Sequence, residues 1–161
     1  MGSVLDYCKG LSSTTLNDGE VLLQEGHKTN KFFVLIKGEC EVLRGDFQIN
    51  KVSEPGSIFG EMSILLDIPH MATVKSIGKS ELYEVSNALD FLQSNNEITF
   101  YLAKGLAKRL NGVTSYLMDI KNQFRGKDDH YSIMDEVLES LVYNQDDEDI
   151  ELGSDRDKSG N

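Results

Sequence analysis

The chain has 161 residues, of which 39% are hydrophobic and 27% are charged, which is typical of a globular domain large enough to bury a core. Its net charge of −11 comes almost entirely from residues 128–161, which hold 12 acidic and 2 basic residues. The preceding part is nearly neutral, so neither part has the basic surface of a nucleic-acid-binding protein. Because no apolar run is long enough to span a bilayer, we expect a cytoplasmic protein with no membrane span.

The first half of the chain consists of short strand patterns that are separated by turn signals. Strands are predicted at residues 20–24, 31–37, 39–43, 47–52, 73–77 and 81–85, after a marginal helical segment at residues 3–12. Arg44-Gly45-Asp46 predicts a hairpin turn, and Gly38 and Gly78 each separate two strands. Turn signals at this spacing are typical of a mainly β fold, a sandwich or jelly-roll-like barrel of about eight antiparallel strands followed by helices.

From residue 86 onward the pattern becomes helical. A short helix is predicted at residues 87–93 and a long helix from Ile98, whose apolar residues recur every three or four positions. The long helix either packs on its own barrel or forms a homodimer, and we favour the homodimer for its later half. The predicted seam is formed by Leu106, Leu110, Val113, Leu117, Ile120 and Phe124.

The remaining segments define the predicted domain organisation. Residues 1–112 form the barrel with flanking helices, and residues 113–125 extend the long helix. Residues 126–143 contain a break followed by a short amphipathic helix with a capping-box-like start at Ser132. Residues 144–161 are acidic and lack aromatic residues, so we expect them to be disordered.

The segment from Phe59 to Val74, here called the cassette, carries the chemistry. Gly60 allows the backbone to approach a ligand closely, and the Glu61 carboxylate can accept two hydroxyl hydrogen bonds. Residues 63–66 predict a helical turn whose free N–H groups suit an anion. A sugar hydroxyl and a phosphate held about one turn apart would use all these features.

The cassette resembles the phosphate-binding cassette of the cyclic-nucleotide-binding domain family, and the turn glycines extend this resemblance over about residues 5–112. The resemblance implies that the glutamate binds the ribose 2′-hydroxyl and that the helical turn with an arginine binds the cyclic phosphate. Here His70 stands at the arginine position, and the bulky Met71 follows it. The implied ligand-binding residues are Phe59, Gly60, Glu61, Met62, Ser63, His70, Met71, Ala72 and Thr73, and Thr114-Ser115 resembles the pair that contacts the base in the catabolite activator protein.

Patterns typical of enzymes are absent from the sequence. The three histidines lie singly, no Cys-x-x-Cys spacing occurs, and no Walker loop or nucleophile elbow is found. We therefore expect a non-enzymatic regulatory module without a metal or cofactor. It would bind cAMP or cGMP with weakened affinity and pass the signal to a partner protein. The alternative is a protein-interaction scaffold without a nucleotide ligand, whose pocket is filled by Met71 or by the 132–142 helix.

Overall fold

The computed structural model describes residues 3–124 and 131–143. The described residues fall into two compact units, one that ends at Ala103 and one that begins at Lys104. The first unit is mainly β-sheet and the second is helical. The strands are β1 (Ser13–Leu16), β2 (Val21–Leu23), β3 (Lys31–Arg44), β4 (Phe47–Val52), β5 (Ile58–Phe59) and β6 (Thr73–Ser86). The helices are α1 (Val4–Tyr7), α2 (Glu61–Leu66), α3 (Ala88–Ser94), α4 (Asn96–Gln123) and α5 (Tyr131–Tyr143).

All pairings in the sheet are antiparallel, and the order of the main path is β1-β6-β3-β4. β2 pairs with β6 and β5 pairs with β3, so β3 and β6 contact most of the other strands. The prediction of a mainly antiparallel β fold followed by helices is confirmed. The sheet is not closed: among the described residues its path ends at β1 and β4.

The predicted count of about eight strands is wrong, because the described residues form a six-stranded sheet. Gly38 and Gly78 do not end strands; each lies inside a strand, β3 or β6, that is 14 residues long in total. The register of the β3–β6 pair shifts around Gly38, so the backbone bends there while the pairing resumes on both sides. Two short strands, β1 and β5, were not predicted, since neither is long enough to show a periodic pattern.

The core of the first unit lies along β3 and β6. Phe32, Val34 and Leu35 of β3 are fully buried, as the continuous apolar run predicts. Leu82 of β6 is also fully buried, and it belongs to the same cluster as Leu35. Phe32 meets Phe91 of α3 edge-to-face with ring centroids 6.0 Å apart, which fixes that helix on the sheet.

The long helix begins two residues earlier than predicted, at Asn96, and Ile98 and Leu102 in its first turns are buried. In the second unit the predicted seam is only partly exposed. Leu110, Val113 and Phe124 are exposed, whereas Leu106, Leu117 and Ile120 are half-buried. No helix among the described residues is long and apolar enough to cross a membrane.

Helix α5 lies within the segment where the short amphipathic helix is predicted, and its first residue is Tyr131, so Ser132 lies inside the helix rather than at its N-cap. Lys121 of α4 forms an ion pair with Asp135 of α5, which connects the two helices of the second unit. The predicted break at residues 126–129 and the predicted disordered tail at residues 144–161 lie outside the described residues.

Candidate functional site

The cassette begins at the end of β5, and helix α2 starts two residues later. Phe59 pairs with Phe33 of β3 and is buried, so the strand holds the next residue, Gly60, against the sheet. Gly60 has φ +93°, a conformation that residues with a side chain rarely adopt. A Cβ atom there would lie 2.9 Å from Leu23 Cδ1 and 3.4 Å from His70 Cε1. The glycine is therefore required both by its backbone angle and by its neighbours.

Two polar side chains of helix α2 are buried. Glu61 and Ser63 are only 4% and 5% exposed. The Ser63 hydroxyl donates a hydrogen bond to the carbonyl oxygen of Ile68, and the Ile68 N–H donates back to the Ser63 carbonyl over 3.2 Å. The hydroxyl proton of Ser63 thus closes the turn after α2 instead of pointing to a ligand.

His70 is almost fully buried, with 4% of its surface exposed, although it lies in a loop. Its Nε2 atom is 2.8 Å from the hydroxyl oxygen of Thr29. Its backbone N–H donates to the His27 carbonyl over 2.9 Å, and its own carbonyl accepts from the Gly26 N–H over 2.8 Å. Burial lowers the pKa of the His70 imidazole, and the neighbouring His27 lowers this pKa further. The ring is therefore held in its neutral form at pH 7.

The segment of residues 24–30, here called the β2–β3 loop, contacts the cassette at two further places. Lys28 donates to the carbonyl of Asp67 over 2.9 Å and pairs with the Asp67 carboxylate over 2.7 Å. The hydroxyl oxygen of Thr73 accepts from the Glu25 N–H over 3.1 Å and from the Gln24 side chain over 3.2 Å. This loop is the neighbour that sequence analysis missed, because a short polar turn carries no periodic signal and its partners are over 38 residues away.

The structure brings Gly60 and His70, at the two ends of the cassette, close together: a Cβ at Gly60 would lie 3.4 Å from His70 Cε1. Ala72 and Thr73 are half-buried. Met62 and Met71 are 38% and 36% exposed, so both present apolar surface to solvent.

The predicted base-contacting pair lies on α4, in the second unit. Thr114 donates its hydroxyl hydrogen to the Leu110 carbonyl of the preceding turn over 2.9 Å, while Ser115 is exposed. The bond within the helix accounts for the Thr114 hydroxyl as an ordinary helix-surface group. A role for the pair in contacting a base stays a prediction.

The side chains of the site can form hydrogen bonds but offer no metal centre. Within the described residues there is no group of three or more His, Cys, Asp and Glu that would hold a metal ion. Glu61 supplies a carboxylate, and His70 and Thr29 supply a neutral imidazole and a hydroxyl. Hydrogen-bonding groups of these types are the ones that proteins use to recognise polar organic ligands.

Comparisons with known proteins give the family of this site. A family profile described as "Cyclic nucleotide-binding domain" matches residues 13–93. The cAMP-dependent protein kinase regulatory subunit of Dictyostelium discoideum is 34% identical over 82 residues, which cover 47% of this chain and 25% of that protein. The chain spans about a quarter or less of the length of the first curated relatives that it matches.

Two solved structures show the same fold. The crystal structure of Thermus thermophilus catabolite activator protein has a TM-score of 0.63 and 20% identity, and the match covers 74% of this chain and 60% of that chain. The structure of cAMP-bound PfPKA-R has a TM-score of 0.54 and 24% identity, and its match covers 68% and 37% respectively. The profile match covers half of the chain and includes the whole cassette. This chain therefore belongs to the cyclic nucleotide-binding domain family.

Proposed function

We propose that this chain is a non-enzymatic regulatory module that binds cAMP or cGMP at the cassette with weakened affinity and passes the signal to a partner protein. The proposed ligand-binding residues are Phe59, Gly60, Glu61, Met62, Ser63, His70, Met71, Ala72 and Thr73. The relatives named as regulatory subunits of cAMP-dependent protein kinase support a regulatory role.

The observation that carries this proposal is the start of α2. Glu61 is a carboxylate that is 4% exposed, and it directly follows a glycine with φ +93°. The two oxygens of a carboxylate can accept several hydrogen bonds, so Glu61 can accept one from a ribose hydroxyl in addition to its interactions within the protein. The glycine before it allows the backbone turn that starts α2 at this point.

The weakened affinity follows from the phosphate end of the site. An arginine at position 70 would give a charged, bidentate contact to the phosphate, whereas a neutral imidazole gives at most a single hydrogen bond. The loss of a charged hydrogen bond costs about 1.5–3 kcal/mol, or roughly ten- to 150-fold in affinity. In addition, the His70 ring would have to leave the Thr29 hydroxyl before it could turn toward a phosphate.

The second candidate function, a protein-interaction scaffold without a nucleotide ligand, is favoured by a different observation. The polar groups at the phosphate end already have partners: Ser63 bonds Ile68, and His70 bonds Thr29. Around them the cassette exposes apolar side chains, namely Met62, Leu65, Leu66 and Met71. Exposed apolar surface of this kind is typical of interaction sites.

Self-association through α4 is part of the proposal. The exposed residues Leu110 and Val113 are one helical turn apart on the helix, and Phe124 extends the exposed apolar surface toward its end. A second copy of the chain would bury these side chains in a helical seam. The predicted cytoplasmic location stays a prediction from the sequence.

Calorimetric titration distinguishes the two functions. We expect the wild-type protein to bind cAMP or cGMP weakly and His70→Arg to bind at least about tenfold more tightly, because the arginine restores the charged contact. Cyclic dinucleotides serve as the comparison ligands. Glu61→Gln in the His70→Arg background is the matched control, and it should lose most of the gain because the amide supplies a poorer acceptor.

A titration without binding would contradict the proposed nucleotide site. If neither the wild type nor His70→Arg combined with Met71→Ala binds a cyclic nucleotide, the cassette is not a nucleotide site. A far-ultraviolet circular dichroism spectrum matching the wild type would show that the double variant is folded. The scaffold function would then replace the proposal.

A further inference from the structure

The β2–β3 loop and the cassette are joined most closely at His70. Two backbone hydrogen bonds pair this residue with Gly26 and His27, and its side chain contacts Thr29 at 2.8 Å. One residue therefore makes three hydrogen bonds to the loop, two through its backbone and one through its imidazole. The loop makes two further contacts with the cassette, at Asp67 and at Thr73, which lie on either side of His70 in the sequence.

The His70 side chain is an unusual choice for such a position. It is 4% exposed, yet it is a group that takes up a proton near neutral pH. A buried neutral imidazole is tolerated when its nitrogen has a hydrogen-bond partner, and Thr29 provides one. A buried imidazolium would lose its hydration, and no carboxylate of the described residues is bonded to it in return. Among the described residues, Thr29 is the only side chain that forms a hydrogen bond to the ring.

We propose that Thr29 and His70 form a proton-sensitive latch, which holds the β2–β3 loop on the cassette while the imidazole is neutral and releases the loop when the imidazole takes up a proton. Thr29 is a positioning residue in this device, since it holds the ring in its buried orientation. The latch is a property of the free protein and does not require that the cassette binds a nucleotide.

The charges around the latch favour the neutral ring. His27 lies on the same loop, and as a second imidazole it opposes a positive charge on His70. Lys28 and Asp67 are already paired with each other at 2.7 Å, which leaves neither charge uncompensated. The other charged groups on the adjoining segments are Glu25, Lys31 and Glu61. Together with burial, His27 is the group that lowers the pKa of His70.

The lowered pKa of His70 determines how the stability of the closed latch changes with pH. The closed latch holds His70 with a pKa below the value of 6.5 for an exposed histidine. A released His70 would regain that value, so protons bind the open state more tightly. The closed state is therefore most stable above pH 6.5 and loses stability as the pH falls below it. One group can change the equilibrium by at most about tenfold per pH unit.

Hydrogen exchange of individual amides measures the latch directly. The N–H groups of Gly26 and His70 are hydrogen-bonded across it, whereas the Leu35 N–H donates to Ser57 at 2.8 Å inside the same unit and serves as the reference. Relative to Leu35, the protection of the two latch amides should fall by up to about fivefold between pH 6.5 and 5.5, because the open state is already half protonated at pH 6.5. Protection that stays constant over this range would overturn the proposal.

Three variants assign the effect to the proposed pair. His70→Gln cannot titrate, so protection of the Gly26 amide should become independent of pH. Thr29→Val keeps the branched shape but removes the hydroxyl, so protection should already be reduced at pH 7.5. His27→Gln should retain the pH transition. A transition that disappears in His27→Gln but persists in His70→Gln would assign the titration to His27 and refute the latch.

The wild-type protein provides a test that needs no variant. An NMR titration of the His70 imidazole should give a pKa below 6.5, with the amide signals of Gly26 changing over the same pH range. A pKa at or above 6.5 would show that burial does not oppose protonation, and the latch would be wrong. Because both measurements are made without ligand, their outcome is separate from that of the nucleotide titrations.

Discussion

Replacing Gly60 with alanine tests whether the cassette requires a glycine because of its neighbours as well as its backbone angle. At φ +93° an L-residue is strained, which costs about 1–3 kcal/mol. The added Cβ would lie 2.9 Å from Leu23 Cδ1 and 3.2 Å from the Lys31 carbonyl oxygen. Leu23 is 4% exposed and has little room to move, so crowding should add about 1–2 kcal/mol.

Gly56 offers a matched control for the backbone strain. Its φ of +89° is almost the same, but a Cβ there would meet only Val4 Cβ at 3.9 Å, an ordinary contact. Gly56→Ala should therefore lose about 1–3 kcal/mol from strain alone. The difference between the two variants isolates the crowding at the cassette.

The measurement is urea unfolding followed by far-ultraviolet circular dichroism, with thermal unfolding as a second probe. The free energy of unfolding should be about 1–2 kcal/mol lower for Gly60→Ala than for Gly56→Ala. For a chain of this size that corresponds to a melting temperature lower by about 2–8 °C. A Gly60→Ala variant that is as stable as Gly56→Ala would refute the close packing of Gly60 against Leu23 and Lys31.

Three further predictions concern the ligand, the helix and the C-terminal residues. If a cyclic nucleotide binds against His70, its affinity should increase as the pH falls below 6.5, because the anion favours the protonated ring. Calorimetry at pH 7.5 and 5.5 measures the two affinities, and equal values would contradict the contact. Replacing the exposed residues Leu110 and Val113 with glutamate would place like charges in the seam, so analytical ultracentrifugation should show a monomer where the wild type is a dimer. A wild-type protein that is monomeric at high concentration would rule out the seam. Deleting residues 144–161 removes seven acidic and two basic residues, and a melting temperature lowered by more than a few degrees would show that this segment contributes to packing.

Local sequence patterns were sufficient for most element types and for the position of the cassette. The Arg44-Gly45-Asp46 turn joins β3 and β4 as predicted, because a glycine-containing turn between two strand patterns is a short-range signal. The run of apolar residues at 32–35 gave a buried strand for the same kind of reason. Helix α4 was recognised from a periodicity that extends over many residues.

The path of the strands was decided by tertiary structure. A glycine looks like a strand end when the sequence is read locally, yet Gly38 lies inside β3. A Cβ there would be only 2.6 Å from the Ser80 Cα atom of β6, so the glycine permits two bent strands to approach closely. That reason depends on a residue 42 positions away and cannot be read from the neighbouring residues.

The chemistry of the site was likewise determined in part by the sequence and in part by the tertiary structure. The sequence by itself determined which groups are available, including a histidine at the position where the family resemblance implies an arginine. Only the tertiary structure decided what that histidine does, because its hydrogen-bond partner, Thr29, is 41 residues away and lies in a loop without a periodic pattern. Burial and hydrogen bonding depend on contacts between distant segments, and these contacts turn a possible phosphate ligand into a neutral ring held against its own protein.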